Sequence, residues 1–310
     1  MEIFGPVQSR RFGISLGINH LPPKVCSYAC VYCQLGRTNR LSIEAAAYAD
    51  PEQIYQAVNE RLKELPQTPD YLTFVSNGEP CLDNQLGSAI QALKKLGIKI
   101  AVITNASMLW QSEIRERLSC ADAVSLKVDS VQEAAWRKIN RPHGRLDLEV
   151  VMAGMRVFAL TYHGKLMTET MLVPGINTSP AHLRACAQFI AELQPEMAYL
   201  ALPLRAPAES WVEAPDQQAA GKAYEIFVRE FARTSLMADL PPTGLTSTQD
   251  ALQELVSTLK VHPMEEGEIR AYLRQNELAD NTLESLLALK RIRSIPYREK
   301  TFYSAAVNQD

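Results

Sequence analysis

No stretch of this chain reaches the roughly 18 uninterrupted apolar residues that a membrane-spanning helix needs. Its first residues, Met1-Glu2-Ile3-Phe4-Gly5-Pro6, also lack the charged region and apolar run of a secretory leader. Both absences lead us to expect a soluble chain in the cytoplasm. A formal net charge of only -3 leaves no overall basic field for nucleic acid and no polyanionic tail, so a nucleic-acid role would have to rest on a local patch. Long internal repeats and low-complexity tracts are missing too. Six cysteines in 310 residues do not make a secreted disulfide framework. Three of them fall within eight positions, a clustering that suits metal in a reducing compartment. What is present is a globular composition, 46% hydrophobic and 22% charged, long enough for one large domain and one small one.

From Asp50 to about Ala238, short β-rich runs alternate with helical stretches, the pattern of β-α units around a parallel sheet. Tyr71–Val75, Lys99–Thr104, Ala123–Val128, Leu166–Val173 and Met197–Leu202 read as strands, and Arg11–Asn19 as a less clear one. Helical apolar spacing runs over Pro51–Leu65, Asn84–Leu96, Trp110–Leu118, Leu148–Leu160, Pro180–Leu193 and Asp216–Arg233. About six β-α units are expected, in an α/β domain over 1–238. Two prolines and a glycine in Asp239–Gly244 mark a connection. Beyond it Ser247–Thr258, Glu265–Gln275 and Asn281–Lys290 read as helices and Arg291–Ala306 as a hairpin, a winged-helix-like order over 245–310.

Cys26-Ser-Tyr-Ala-Cys30-Val-Tyr-Cys33 follows Leu21-Pro22-Pro23, which discourages regular structure and leaves three soft ligands in one loop. Structural zinc wants four ligands. A [4Fe-4S] cluster also usually takes four cysteines, so three would leave one iron open. For the triad alone, a zinc loop or unligated thiols remain the alternative.

The spacing C-x3-C-x2-C, with aromatic Tyr32 before its last cysteine, resembles the signature of the radical S-adenosylmethionine (SAM) superfamily. That resemblance implies a partial (β/α)6 TIM-like barrel and one [4Fe-4S] cluster on Cys26, Cys30 and Cys33, whose open iron chelates the amino and carboxylate groups of SAM. It also implies reductive cleavage of SAM to methionine and a 5'-deoxyadenosyl radical, which abstracts hydrogen from a substrate. A reducing partner such as flavodoxin or ferredoxin would supply the electron. The stretch Ser9–Asn19, Pro22-Pro23-Lys24 and Gln34-Leu35-Gly36-Arg37-Thr38 is similar to a subgroup of small radical SAM proteins related to the enzyme that builds the wybutosine base on tRNA. That enzyme has further cysteines for a second cluster, and none is placed to serve here.

Ser76-Asn77-Gly78-Glu79-Pro80 follows the strand Tyr71–Val75, where a parallel barrel carries its active-site loops. It is similar to the family's glycine-glutamate motif, which holds the SAM amino group, with Asn77 in place of the first glycine. Side-chain alternation puts Ser125, Lys127 and Asp129 on the inward face of one strand; on the next, alternation leaves the parity open, and the cost of an unpaired Glu169 under the helices turns Met167, Glu169 and Met171 inward. Arg205 follows Tyr199, Ala201 and Pro203 off the last strand, and Asn105 ends another. Asn77, Glu79, Asn105, Ser125, Lys127, Glu169 and Arg205 should therefore ring one cavity. The resemblance implies that Asn105, Ser125 and Lys127 hold the SAM carboxylate or ribose and that Val173, Leu202 and Pro203 lie near adenine. Lys127 and Glu169 are catalytic candidates whose alternative is a structural ion pair.

Of the remaining thiols, only Cys81 should sit near the chemistry, as hydrogen donor, substrate ligand or space filler. His20 and His143 are loop histidines that could reach a substrate from above, with a solvated loop side chain as the alternative. The basic hairpin Lys290, Arg291, Arg293, Arg298 and Lys300 admits RNA docking or peptide capture along a strand edge, beside simple packing. Two functions follow. One is a SAM-cleaving enzyme acting on a nucleoside or RNA, a peptide or a small metabolite. The other is an iron-sulfur redox sensor whose winged helix reads nucleic acid.

Overall fold

The protein is described by a computed structural model over residues 1–38, 40–238 and 251–306. The expected connection Asp239–Gly244 and the start of the helix placed at Ser247 lie outside those residues.

The chain opens with the strands β1 (Glu2–Ser9) and β2 (Gly13–Asn19), then the short pair β3 (Val25–Cys26) and β4 (Arg40–Leu41). Next come α1 (Pro51–Glu64), β5 (Tyr71–Phe74), α2 (Leu86–Lys94), β6 (Lys99–Thr104), α3 (Ser112–Leu118) and β7 (Ala123–Lys127). Two helices, α4 (Glu133–Ile139) and α5 (Leu148–Thr161), lead to β8 (Lys165–Met171), α6 (Pro180–Leu193), β9 (Met197–Ala201), α7 (Gln217–Glu230) and β10 (Thr234–Met237). Eight strands form one sheet, β1-β2-β5-β6-β7-β8-β9-β10. β1 is antiparallel to β2 and every later pairing is parallel. The strand order is linear and ends on β1 and β10, so the sheet curls as a partial TIM-like barrel with six β-α units.

Local chemistry starts the helices where they stand. Asp50, Asp147, Ser179 and Asp216 each cap an N-terminus by accepting a backbone N–H, and Pro51 and Pro180 occupy the first turn, where a missing N–H costs nothing. The helices cover the outer face of the sheet with the main core. Inside, Phe12, Tyr71, Ala101, Ala123 and Met167 form an apolar floor. Phe12 is delivered by the β1–β2 turn and its ring lies 5.2 Å from Tyr71, so the hairpin plugs the bottom of the barrel.

β1 and β10 were not anticipated. Gly5-Pro6 reads as a loop, and it falls in a register shift of β1 between Phe4 and Val7 that tolerates a residue without an N–H donor. β10 is four residues long and follows a helix directly.

The C-terminal residues form α8 (Ala251–Val261), β11 (Met264–Glu265), α9 (Glu266–Gln275), α10 (Thr282–Ala288), β12 (Ile292–Tyr297) and β13 (Lys300–Ala305), with a small sheet β11-β13-β12. Leu255, Leu259, Ile269, Leu273 and Leu286 give this part its own core. It docks on the barrel at two places, β1 and the loop after β9. α8 packs along β1, with Arg61 pairing Glu254 at 2.7 Å and Lys260 pairing Glu2. The β12–β13 hairpin reaches the loop after β9, where the Tyr297 hydroxyl donates to the Pro203 carbonyl at 2.8 Å. No helix among the described residues is long and apolar enough to cross a membrane.

The cysteine loop and the barrel mouth

Cys26 ends β3, and Cys30 and Cys33 follow in the loop beyond it. Backbone bonds fix this loop on two sides. Lys24 N–H donates to Asn77 O at 2.8 Å and Glu79 N–H to Val25 O at 3.0 Å, while Val31 N–H donates to Ile139 O at 2.9 Å. Gly78 is demanded by this contact, because a Cβ there would lie 1.8 Å from the Val25 carbonyl oxygen.

All three thiols meet an N–H donor. Asn105 Nδ2 approaches Cys26 Sγ at 3.6 Å, Asn140 Nδ2 approaches Cys30 Sγ at 3.5 Å, and Lys24 Nζ approaches Cys33 Sγ at 3.8 Å. Burial pushes the Cys30 thiol up to about 12 and that of Cys26 well above its ordinary value. A bound cation reverses that logic and takes the thiolates. Soft ligands ringed by N–H donors fit a [4Fe-4S] cluster, whose sulfurs accept such bonds. No three His, Cys, Asp or Glu side chains among the described residues close on a single ion position.

Inside the barrel the inward alternation of β7 and β8 is as expected. Lys127 Nζ lies 2.9 Å from Glu169 Oε1 and 3.3 Å from Asp129 Oδ1, and 4.8 Å from the centre of the Tyr32 ring. Glu169 also pairs with Arg11, which enters from the floor and donates to Ser125 Oγ at 3.3 Å. Burial alone would raise the Glu169 carboxyl, but Arg11 and Lys127 outweigh it and hold it at about 2. Burial likewise opposes the charge on Lys127, and Asp129 and Glu169 overcome it, leaving its pKa raised. Asp129 is 3% exposed and accepts from the Tyr32 hydroxyl, from Asn140 Nδ2 at 2.7 Å and from Met171 N–H at 2.8 Å.

Arg11, Lys24, Asp129 and Asn140 are the polar residues that the sequence reading left out of the site. Asp129 already stood on the inward face with Ser125 and Lys127, which was signal enough. Arg11 and Lys24 lie within the stretches Ser9–Asn19 and Pro22-Pro23-Lys24, and Asn140 lies three residues before His143, but nothing local says which distant group they touch.

The expected ring is partly redistributed. Glu79 is 1% exposed, and its carboxylate accepts from Thr104 Oγ1 at 2.5 Å, Asn105 N–H at 2.7 Å and Cys81 N–H at 3.0 Å, so it ties the β5 loop to the end of β6. Asn77 Oδ1 is buried and has no hydrogen-bond partner among the described residues, an acceptor that suits an ammonium donor. Val173 packs with Val31, Ile139 and Val212 beside Tyr32, whereas Leu202 leans on the main core and Pro203 takes the Tyr297 bond.

Three candidates are corrected. Cys81 is 2% exposed in the main core, with its sulfur 3.4 Å from Thr104 Oγ1, and so faces away from the mouth. His20 is 2% exposed, sealed between Ser76 Oγ at 3.0 Å and Asp83 at 3.6 Å. Arg205 turns to the C-terminal part, donating to the Pro263 carbonyl and lying 3.3 Å from Glu268. His143 remains half-buried at the rim, its Nδ1 accepting from Arg145 N–H at 3.3 Å.

A curled parallel sheet, open at one side and carrying a three-cysteine loop over its C-terminal strand ends, narrows the class to one. Residues 21–185 match the Radical SAM superfamily, and the chain belongs to that family. It is an enzyme of radical chemistry whose cofactors are a [4Fe-4S] cluster and SAM. More particularly, it is 37% identical over 303 residues to a UPF0026 protein of Methanocaldococcus jannaschii, covering 97% of this chain and 94% of that protein. A UPF0026 protein of Helicobacter pylori is 28% identical, covering 98% and 97%. Among solved structures, TYW1 with a lysine-pyruvate adduct bound is 14% identical with a TM-score of 0.53, covering 69% of this chain and 73% of that one. Streptococcus suis SuiB bound to S-adenosylmethionine is 13% identical with a TM-score of 0.54, covering 73% and 51%. At such identities the likeness is one of fold.

Proposed function

We propose that Cys26, Cys30 and Cys33 hold a single [4Fe-4S] cluster and that SAM sits beside it against Asn77 and Gly78, in a mouth lined by Asn105, Ser125, Lys127 and Tyr32. The observation that carries this reading is the N–H donor directed at each of the three sulfurs from three separate segments. A cluster held by Cys26, Cys30 and Cys33 would supply one-electron reduction of SAM at this mouth, and with it the capacity for hydrogen abstraction from a substrate. The residues of the chain prepare this. Asn77 offers its unpaired Oδ1 to the SAM ammonium, Val173 and its apolar neighbours give adenine a dry wall, and the Arg11–Glu169–Lys127–Asp129 network keeps the wall beneath rigid and neutral in sum.

Residues 251–306 form, in this reading, a winged-helix-like module that walls the substrate side of the mouth. Its hairpin is engaged by Pro203 and Ala214, and Glu284 lies on α10, which favours a packing role over DNA reading. Anaerobic reconstitution tests the proposal. Full-length protein should take up about four irons per chain and, with dithionite and SAM, release 5'-deoxyadenosine. Alanine at any one of the three cysteines should remove both. Iron well above four per chain, or SAM cleavage that survives Cys30→Ala, would sink it.

A further inference from the structure

The three N–H donors around the cysteine loop differ in kind. Asn105 and Asn140 bring neutral amides, whereas Lys24 brings an ammonium group. Lys24 is held in place with some force. It is 9% exposed and adopts φ of 67°, a left-handed conformation that a side chain keeps only where its surroundings impose it. Here they do so through its N–H bond to Asn77 O and the 2.8 Å bond from Nζ to Gly36 O, which clasps the far end of the loop. The charges around the sulfurs differ from one cysteine to the next: Glu79 faces Cys26, Asp129 faces Cys30 with Lys127 3.3 Å from it, and Cys33 has the Lys24 ammonium as its charged donor.

Reduction adds one negative charge to a cluster, so N–H donors and cations near its sulfurs favour the reduced form, and nearby carboxylates oppose it. We propose that Lys24 is a positioning residue that raises the reduction potential of the cluster, by donating to the Cys33 sulfur and holding a positive charge against it. The inference rests on the assignment of the cluster to Cys26, Cys30 and Cys33. Its consequence is functional: without Lys24 the Cys33 sulfur loses its charged donor, and a reductant of given strength fills fewer clusters.

The test is a dithionite titration of the reconstituted full-length chain, followed by the EPR signal of the reduced cluster. Lys24→Met should lower the reduction equilibrium about tenfold, a shift of about 59 mV to more negative potential for a one-electron couple. Lys24→Gln, which keeps a donor but no charge, should fall in between, and Lys24→Arg should recover most of the shift. Equal midpoints in wild type and Lys24→Met would overturn the proposal. So would loss of the cluster from both Lys24→Met and Lys24→Gln, because Lys24 would then be a structural tie. Failure of the assignment itself looks different: the wild type would not take up its irons, or Cys33→Ala would keep them.

Discussion

Glu169 lies 12% exposed between two cations, and the way it titrates follows from that position. Its carboxyl is held at about 2 against an ordinary 4.5, so its contribution to stability is fully present above pH 4.5 and fades as pH falls through 2. Removing one member of a buried ionic network leaves the others uncompensated, at about 3–5 kcal/mol. Glu169→Ala should therefore lower the urea midpoint strongly at pH 7 and flatten the acid limb below pH 4.5. His20 works higher on the pH scale. Burial lowers its imidazole to about 4 from 6.5, so the folded protein prefers it neutral and loses stability as pH falls from 6.5 through 4. His20→Phe keeps the edge contact with Phe74, 5.1 Å between ring centres, and should remove that limb. Stability curves of the two variants that share one limb would contradict this division. For Cys81, alanine should cost stability but leave 5'-deoxyadenosine production in place, since the thiol points into the core.

At the level of elements, one contact joins the two motifs. β3 passes so close to the loop after β5 that only glycine fits at position 78. Gly78→Ala should push the cysteine loop off its seat. We expect far-UV circular dichroism close to wild type and iron uptake reduced several-fold; full iron occupancy would show that the contact is dispensable. The β1–β2 hairpin acts at the other end of the barrel. Phe12 is 2% exposed and fills the floor, so Phe12→Ala should cost about 3–5 kcal/mol of unfolding free energy.

Across the whole molecule, the C-terminal module touches the edge strand β1 and, one strand in from the other edge, the loop after β9. Arg205, 7% exposed, is the buried charge at that junction, and burial lowers its pKa while Glu268 supports it. Glu268→Ala leaves the guanidinium short of its counter-charge. The expected result is faster hydrogen exchange in 263–268 and 297–300, with the barrel strands unchanged; uniform protection would mean that Arg205 contributes nothing to docking.

Much of this was legible in one dimension. The cysteine spacing, the loop after the strand at Tyr71, the six β-α units and the inward face of Ala123–Lys127 follow from periods of two and 3.6 and from ligand chemistry, which depend on near neighbours alone, and the cost of an unpaired Glu169 under the helices picks the face of Lys165–Met171. The strand at Thr234–Met237 was harder, because a four-residue strand leaves a weak periodic signal. By itself the sequence determined the chemistry available: three thiols in one loop, a glycine-glutamate turn and a lysine facing a glutamate across adjacent strands. Tertiary structure alone decided which groups meet. It turned Glu79 and Cys81 inward, gave Arg205 to the C-terminal module, brought Arg11 up from the floor, and set Lys24, Asn105 and Asn140 against the sulfurs. Those contacts join residues up to 158 positions apart, and such pairings are settled by the closure of the sheet and the competition of every buried polar group for a partner.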